Sequence, residues 1–548
     1  MTADSEDNLD ARPALQQVLH YHEVTKHHFQ SYAQGPGSLD WATQPKPFRR
    51  YQGARLVSLE KFPATGEPLY DDAFVRGRIP AAPVTFQTIS QLFYDSLAIS
   101  AWKSTGEHSW ALRVNPSSGN LHPTEGYLIC GPIDGLGDRP MVCHYAPKEH
   151  GLEVRAEFER GMWDALWLVA PADIFLVGLT SIHWREAWKY GQRAYRYCQH
   201  DVGHAIGAIV IAAAGLGWQT QVLDDLGTEE LALLMGTGND DAESEEPDVL
   251  MAVGPHAEEA MGLQEDQIQA LRSLTWQGTA NQLSPSHLDW GVETTAAAAR
   301  KPRSRQPYER RESPQPSCSY DHRSVSLRTV VRQRRSAVAM DRKTHITRDT
   351  FYRILQRTLA VPGSIPLSTL PWTPHIHLAI FVHRVKDLPA GLYLFVRDAS
   401  QTRALRAAFT KAEQWQRPVE CPPQLELYCL IEAEAQQSAR QVSCHQDIAS
   451  DGCFSLGMIA EYETPIEQNG PWFYPRLFWE AGMIGQVLYL EAEAAGIRST
   501  GIGCYFDDPM HRVLGLQDLT YQDLYHFTVG GPIEDTRLTT LPAYANEF

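Results

Sequence analysis

Hydrophobic and polar positions along this chain follow two periods. Apolar residues at helical spacing predict a short helix over 15–28 and another over 85–100, with Thr85 or Ser90 near its start. The same spacing predicts a long helix over 185–216, broken or bent near its glycines, a helix over 348–359 behind a Thr347 cap, and a second long helix over 475–495. Short β-branched or alternating runs predict strands at 127–130, 174–179, 251–253, 378–382, 391–396, 425–431 and 526–529. Helices alternate with strands, which places the chain in the α+β or α/β class.

The pattern occurs twice. At a constant offset of 279 residues, Gly203 falls on Gly482, Ala213 on Ala492, Gly217 on Gly496 and Gly236 on Gly515. Apolar positions keep the register: Ile209 with Leu488, Ile211 with Leu490, Leu234 with Val513, and Met235 with Leu514. A period of half the chain predicts two copies of one domain fused in tandem, since solenoid repeats run to only about 20–50 residues. The expected layout is an arm over 1–60, a first domain over 61–274, a linker over 275–324 and a second domain over 325–548. The linker is read from its alternation of prolines with Arg300, Lys301, Arg303, Arg305, Arg310 and Arg311, as a solvated segment lying on an acidic protein. Two like domains in one chain pack as a covalent dimer, and only one of them needs to keep each functional element.

Composition narrows the class. The 43% apolar content allows large cores, and a net charge of -18 argues against nucleic acid or an acidic membrane as the main partner. The longest apolar stretch, 205–218, is too short and too rich in Gly and Ala to span a bilayer, and the acidic first ten residues do not form a signal peptide. Nine cysteines without CxxC spacing fit reduced thiols in a cytoplasmic protein. Fourteen Trp and 22 Tyr serve either large aromatic cores or stacked planar ligands.

The sharpest local signal runs from Arg113 to Glu125. Pro116 and Pro123 bracket Ser117, Ser118, Gly119 and Asn120, so a fixed loop rich in N–H and hydroxyl groups leads straight into a strand. A plain Pro/Ser/Gly turn has the same composition, and the segment alone leaves both readings open. In its order of residues, Pro-Ser-x-x-Asn-x-x-Pro resembles the flavin-contacting loop of the nitroreductase superfamily. With Arg113 upstream and Glu125 and Tyr127 downstream, it resembles the SagB/ThcOx-type dehydrogenases, which oxidise azolines to azoles in ribosomal peptide products.

Further stretches carry the same resemblance. Tyr21-His22-Glu23-x-Thr25-Lys26-His27 is similar to that subfamily's N-terminal signature, and Lys189 to Tyr197 with Asp201-x-Gly203-His204 is similar to its long-helix signature. Arg334-Arg335-Ser336 resembles the Arg-x-Ser motif that holds the flavin phosphate, and Gly501-Ile502-Gly503-Cys504 lies where such enzymes pass backbone along the isoalloxazine. The resemblance implies two fused nitroreductase-like α+β domains packed as an intrachain pseudo-dimer, with FMN as cofactor. It implies cofactor contacts from Arg113, Pro116, Ser117, Ser118, Asn120, Arg334, Arg335, Ser336, Gly501, Ile502 and Gly503. Lys189 and Tyr190 are the candidates for proton abstraction, against the plainer reading that Lys189 and Arg193 contact solvent or a phosphate. A small-molecule or peptide-derived substrate is implied. The alternatives are an NAD(P)H-dependent reductase of nitro, quinone or enone compounds, with the nicotinamide directly over the flavin, and a non-catalytic scaffold.

The halves differ in what they retain. Where the Pro-Ser loop should recur, the second half reads Trp372-Thr373-Pro374-His375; where Gly-Ile-Gly-Cys should stand, the first half reads Val222-Leu223-Asp224-Asp225. One site joining Pro116–Asn120 to Arg334–Ser336 and Gly501–Gly503 is therefore expected, with its reciprocal spoiled by an acidic pair beside an anionic ligand. The pairs His200 with His204 and His20 with His22, His27 and His28 lack a third ligand at metal spacing, so no metal is expected. Cys504 is read as a small packing residue or a reactive thiol.

Overall fold

Central strands of each half are apolar on both faces, so each must be covered twice. The computed structural model describes residues 7–62, 65–169, 173–238, 243–304 and 323–544. In the first half, strands Gln219–Val222, Glu246–Gly254, Phe175–Ser181, Thr124–Cys130, Met141–Ala146, Gly151–Glu157 and Arg55–Ser58 lie side by side in that order, all antiparallel. The second half repeats the order with Arg498–Ile502, Tyr521–Gly530, Phe454–Glu461, Ile376–Val382, Gly391–Val396 and Glu426–Glu432. Outer faces are closed locally, by Trp163, Leu231, Leu234 and Ile268 in one half and by Leu405, Ala439, Met510 and Leu514 in the other. Inner faces share one core, built around helices Ala194–Ala214 and Tyr474–Ala494. The fold is α+β, as the patterning predicts.

Those two long helices cross at the repeat-equivalent glycines. A Cβ on Gly203 would stand 2.3 Å from the Trp479 carbonyl oxygen, and one on Gly482 would stand 2.2 Å from that of His200. The Cα of each glycine lies about 3 Å from the other's hypothetical Cβ (2.9 and 3.0 Å), so main chain meets main chain. Of the break or bend expected in the first long helix, the structure has the break: helix His183–Tyr190 stops at Gly191, whose φ is 56°, before Ala194–Ala214 begins.

Elsewhere the patterning errs in instructive ways. Thr85 caps helix Phe86–Ser96, accepting from the Thr88 N–H, but the helix ends before 100 because Ile99 opens a hairpin, Ile99–Ser104 with Ser109–Arg113. Strands Met141–Ala146, Gly151–Glu157 and Phe454–Glu461 escape the hydrophobic pattern. The first two carry buried polar groups that pair internally, as His144 does with Glu153 at 3.0 Å. The expected solvated linker gives way over 275–304: Leu283, Val292, Ala296 and Ala299 are buried in the common core, and Arg300 and Arg303 pair with Glu246 and Glu230. Arg305, Arg310 and Arg311 lie outside the described residues.

Each terminus reaches the other half. Strand Thr539–Leu541 extends the Ile99–Ser104 hairpin, and the N-terminal helix, Asp7–Val24 rather than 15–28, packs Tyr21 and His22 against Tyr474.

Replacing Gly482 by Ala forces a methyl group into the helix crossing. The expected loss is about 2–3 kcal/mol or more, read as a lower urea midpoint with unchanged slope; Gly203→Ala should behave alike, and Gly161→Ala is the control that should not lower it, since its Cβ would meet nothing within 4 Å and its φ is not left-handed.

Candidate functional site

Where the two halves meet beside the helix crossing, a cavity of about 460 Å³ opens, within the range of small-molecule sites. Its walls take Arg113, Pro116, Ser117, Ser118 and Asn120 from the first half and Arg334, Arg335, Ser336, Gly501, Ile502 and Gly503 from the second. Tyr190 joins them, whereas Lys189 does not line the cavity. Lys189 is half-buried, with its Nζ 5.2 Å from the Tyr190 ring centre and 3.0 Å from where a Cβ on Gly119 would stand.

The loop is held from beneath. Gly119, Asn120 and His122 all have left-handed φ, between 53° and 60°, a conformation cheap only for Gly and tolerated by Asn. A side chain at Gly119 would strike the Tyr190 hydroxyl at 2.5 Å. Asn120 donates to the Ala111 carbonyl at 2.9 Å and contacts His122 Nε2 at 3.0 Å, so its amide braces the loop on strand Ser109–Arg113. The Ser118 N–H donates to Asp201 Oδ1 at 3.0 Å, and its hydroxyl lies 3.3 Å from the same oxygen. Much of the polarity expected to face a ligand thus holds the loop in shape.

Across the cavity, the Tyr489 hydroxyl ties two chain segments together. It lies 2.9 Å from Ser336 Oγ and accepts from the Gly501 N–H at 3.0 Å. Arg334 donates to the Arg113 carbonyl at 3.1 Å and stacks over Tyr489, and Arg335 donates to the Ser100 hydroxyl and to main-chain oxygens of Arg332 and Arg334. Burial pushes Arg113 and Arg335 each down to about 10, and Arg334 down as well. The Nε atoms of Arg113 and Arg334 and the Oδ1 of Asn115 have no hydrogen-bond partner among the described residues. Farther along the same walls Lys103 and Arg498 stand with Glu534 and Asp535, Arg498 pairing with Glu534 at 2.6 Å, so the excess positive charge lies with Arg113, Arg334 and Arg335. A buried cationic end with unused donors is chemistry suited to a phosphate.

Sequence reasoning did not nominate the residues under the loop. Asp201 is buried in the cavity wall, and Glu186 is buried nearby. Burial raises Asp201 to about 7; burial and the neighbouring Asp201 raise Glu186 well above the ordinary carboxylate range. His204 contacts the Tyr525 hydroxyl at 3.2 Å, and His200 stacks on the Tyr525 ring at 4.0 Å, so both histidines serve the cavity floor. The spacing of Glu186 with Lys189 and Tyr190 on one short helix, and of Asp201 with His204 on the next, was the signal available.

Other recognised motifs frame the site without lining it. Arg193 and Arg196 bind the two oxygens of Asp507, at 3.0 and 2.7 Å, and also donate to the carbonyls of Thr25 and His22. Asp507 heads helix Asp507–Leu514 of the second half and accepts from the His27 N–H at 2.8 Å. Glu125 opposes its own burial with Arg185 and His144, which pull it down to about 2. Tyr127 donates to Glu245 at 2.6 Å.

The reciprocal position is filled. There Arg476 clasps Asp224 at 2.7 Å, Lys301 lies over Trp472, and Ala296, Ala299 and Arg300 pack in, leaving about 30 Å³, room for about one water. Trp372 is buried in the common core, and the His375 N–H donates to Glu480 at 3.0 Å.

Comparison with known proteins agrees with this architecture. Residues 81–254 match the Nitroreductase family. A provisionally named nitroreductase of Methanocaldococcus jannaschii is 26% identical over 145 residues, which cover 26% of this chain and 68% of that protein. The crystal structure of a provisionally named nitroreductase from Anabaena variabilis superposes with a TM-score of 0.67 at 20% identity, covering 94% of this chain and 99% of its own. The nitroreductase-like fold therefore extends through both halves. No helix among the described residues is long and apolar enough to cross a membrane.

Two outcomes follow. Asp201 takes up its proton in the folded state at a pH where the unfolded chain has lost it, so its contribution is complete below about pH 4 and is lost as pH rises to about 7. The stability difference between the protein and Asp201→Asn should shift by roughly 4 kcal/mol across that window, measured by urea unfolding at successive pH values. Asp507→Asn leaves two buried guanidinium groups short of charge and should cost about 3–5 kcal/mol, visible as early detachment of the N-terminal helix in hydrogen exchange.

Proposed function

We propose that the open cavity binds FMN and that the protein is a two-electron oxidoreductase with one flavin site per chain. The observation that carries this reading is the meeting of Pro116–Asn120 from one half with Arg334–Ser336 and Gly501–Gly503 from the other in a single cavity. The cofactor would supply reversible acceptance of two electrons. Arg113, Arg334, Arg335 and Ser336 would hold its phosphate, their burial making each charge-assisted hydrogen bond stronger than in water. The Gly501–Gly503 backbone would lie along the ring, because residues without side chains admit a flat group at close range.

For the chemistry of the substrate, the favoured reading is dehydrogenation of a heterocyclic or peptide-derived compound, as in the SagB-type enzymes. Its support is the Tyr190 hydroxyl, which reaches the loop's Gly119 from the cavity wall. Burial first, then Glu186, Tyr197 and Asp201, raises that phenol well above its ordinary value, so at neutral pH it relays the abstracted proton and is not itself the base. Lys189 is the candidate base beside it, with its Nζ 3.0 Å from where a Cβ on Gly119 would stand, at the loop residue the Tyr190 hydroxyl also reaches. A small-molecule or peptide-derived substrate would enter over the ring; the alternative reductase would bind NAD(P)H there. A cytoplasmic location is part of the same reading.

The test is the absorbance spectrum of the purified protein, with released flavin counted per chain. About one FMN per chain is expected. Two would overturn the single-site assignment, and a colourless protein that resists reconstitution would turn the assignment to the scaffold reading. With flavin bound, Tyr190→Phe and Lys189→Ala should each lower turnover at least tenfold while retaining FMN; steady NAD(P)H consumption on adding a nitro or quinone acceptor would select the reductase.

A further inference from the structure

Two thiols 60 residues apart in sequence meet at the rim of the cavity. Cys504 follows Gly503 out of strand Arg498–Ile502 and lines the cavity, and Cys444 lies two residues beyond helix Gln436–Val442. Their sulfurs are 2.8 Å apart. A disulfide needs about 2.05 Å, so a small rotation of either side chain closes the gap. The two loops are already joined by Gln446, whose amide donates to the Cys504 carbonyl at 2.9 Å and to that of Ser443 at 3.0 Å.

The pair differs from the other described cysteines. Cys130, Cys143, Cys198, Cys429 and Cys453 are buried, and Cys421 faces main-chain oxygens of Pro422 and Leu425. Only Cys444 and Cys504, among the described cysteines, combine partial exposure with a second thiol in contact. Their environments are unequal as well. Cys504 lines the open cavity, whereas Cys444 does not. Cys504 is therefore the sulfur a peroxide meets first, with Cys444 beside it to resolve.

We propose that Cys444 and Cys504 are a redox-active dithiol, which a hydroperoxide oxidises to an intrachain disulfide at the rim of the cavity. The Cys504 thiolate attacks the peroxide oxygen; the O–O bond breaks, leaving a sulfenic acid and hydroxide. The Cys444 sulfur then displaces the sulfenic hydroxyl, forming the S–S bond and releasing water. Two thiols lose two electrons and two protons in all, and hydrogen peroxide is reduced to two waters. The bond would lock Gly503 and Cys504, part of the second half's wall, to the loop after residue 442, making ligand access to the cavity sensitive to oxidation. The site stands on the two thiols alone and does not depend on the identity of the cavity's ligand.

The experiment uses the full chain, reduced, freed of reductant, treated with a small excess of hydrogen peroxide, alkylated in denaturant and digested without reduction. Mass spectrometry should find the Cys444 and Cys504 peptides joined, with a loss of two of the nine thiols. In Cys444→Ser, oxidation should stop at a sulfenic acid on Cys504 that dimedone traps. In Cys504→Ser, Cys444 should stay reduced at the same peroxide dose. Near-ultraviolet circular dichroism of both variants checks that the fold is retained. Absence of the joined peptides, a joined pair that omits either residue, or equal thiol loss in the protein and in both variants would overturn the proposal.

Discussion

Everything in this molecule is organised by the contact between Gly203 and Gly482. These residues are equivalent under the internal repeat, and each lies where any side chain would strike the other helix's main chain. Self-complementary contact of this kind is how twofold homodimers associate, with the same patch used on both sides. Here the two copies are covalently linked, and the close crossing sets how far apart the two sheets can stand. It also sets Asp201 and His204, close on either side of Gly203, in the cavity wall, Asp201 under the Ser118 N–H and His204 against the Tyr525 hydroxyl.

A twofold arrangement offers two equivalent cavities, and side-chain chemistry has kept one of them. On the open side, tyrosines, a short polar loop and glycine backbone leave space and unused arginine donors. On the other side, an arginine stands at Arg476 and an aspartate at Asp224, and their ion pair occupies the space, with Lys301 and the Ala296–Arg300 segment packed beside it. Burying that pair is tolerable because each charge meets its opposite.

Buried charges do the rest of the positioning. Asp507 with Arg193 and Arg196, and Glu125 with Arg185 and His144, are almost wholly removed from water. Such clusters add little net stability over apolar packing, but breaking one leaves an uncompensated charge, so they specify a single arrangement. They connect the N-terminal arm, the first long helix and the second half's Asp507 helix, which together hold Tyr197 and Gly503 at the cavity wall, with the Tyr197 hydroxyl donating to the Gly503 carbonyl at 3.1 Å.

Much of this was legible in the sequence, for reasons that are local. The repeat, the long helices, the Thr85 and Thr347 caps and strands such as Gly391–Val396 follow from periodicity and short-range hydrogen bonding. Strands Met141–Ala146 and Gly151–Glu157 were hidden because their buried His144, Glu153 and Arg155 find partners only across the sheet and beyond it. The loop and the arginine motif could be named as parts of one site. That Asn120 braces its own loop, that Lys189 and Tyr190 both reach Gly119, that Asp201 raises the buried Glu186, and that two distant cysteines touch was decided by tertiary structure alone. Periodicity is a property of neighbours along the chain, whereas the direction of a polar side chain, its dielectric surroundings and its charge state depend on groups brought together from both halves.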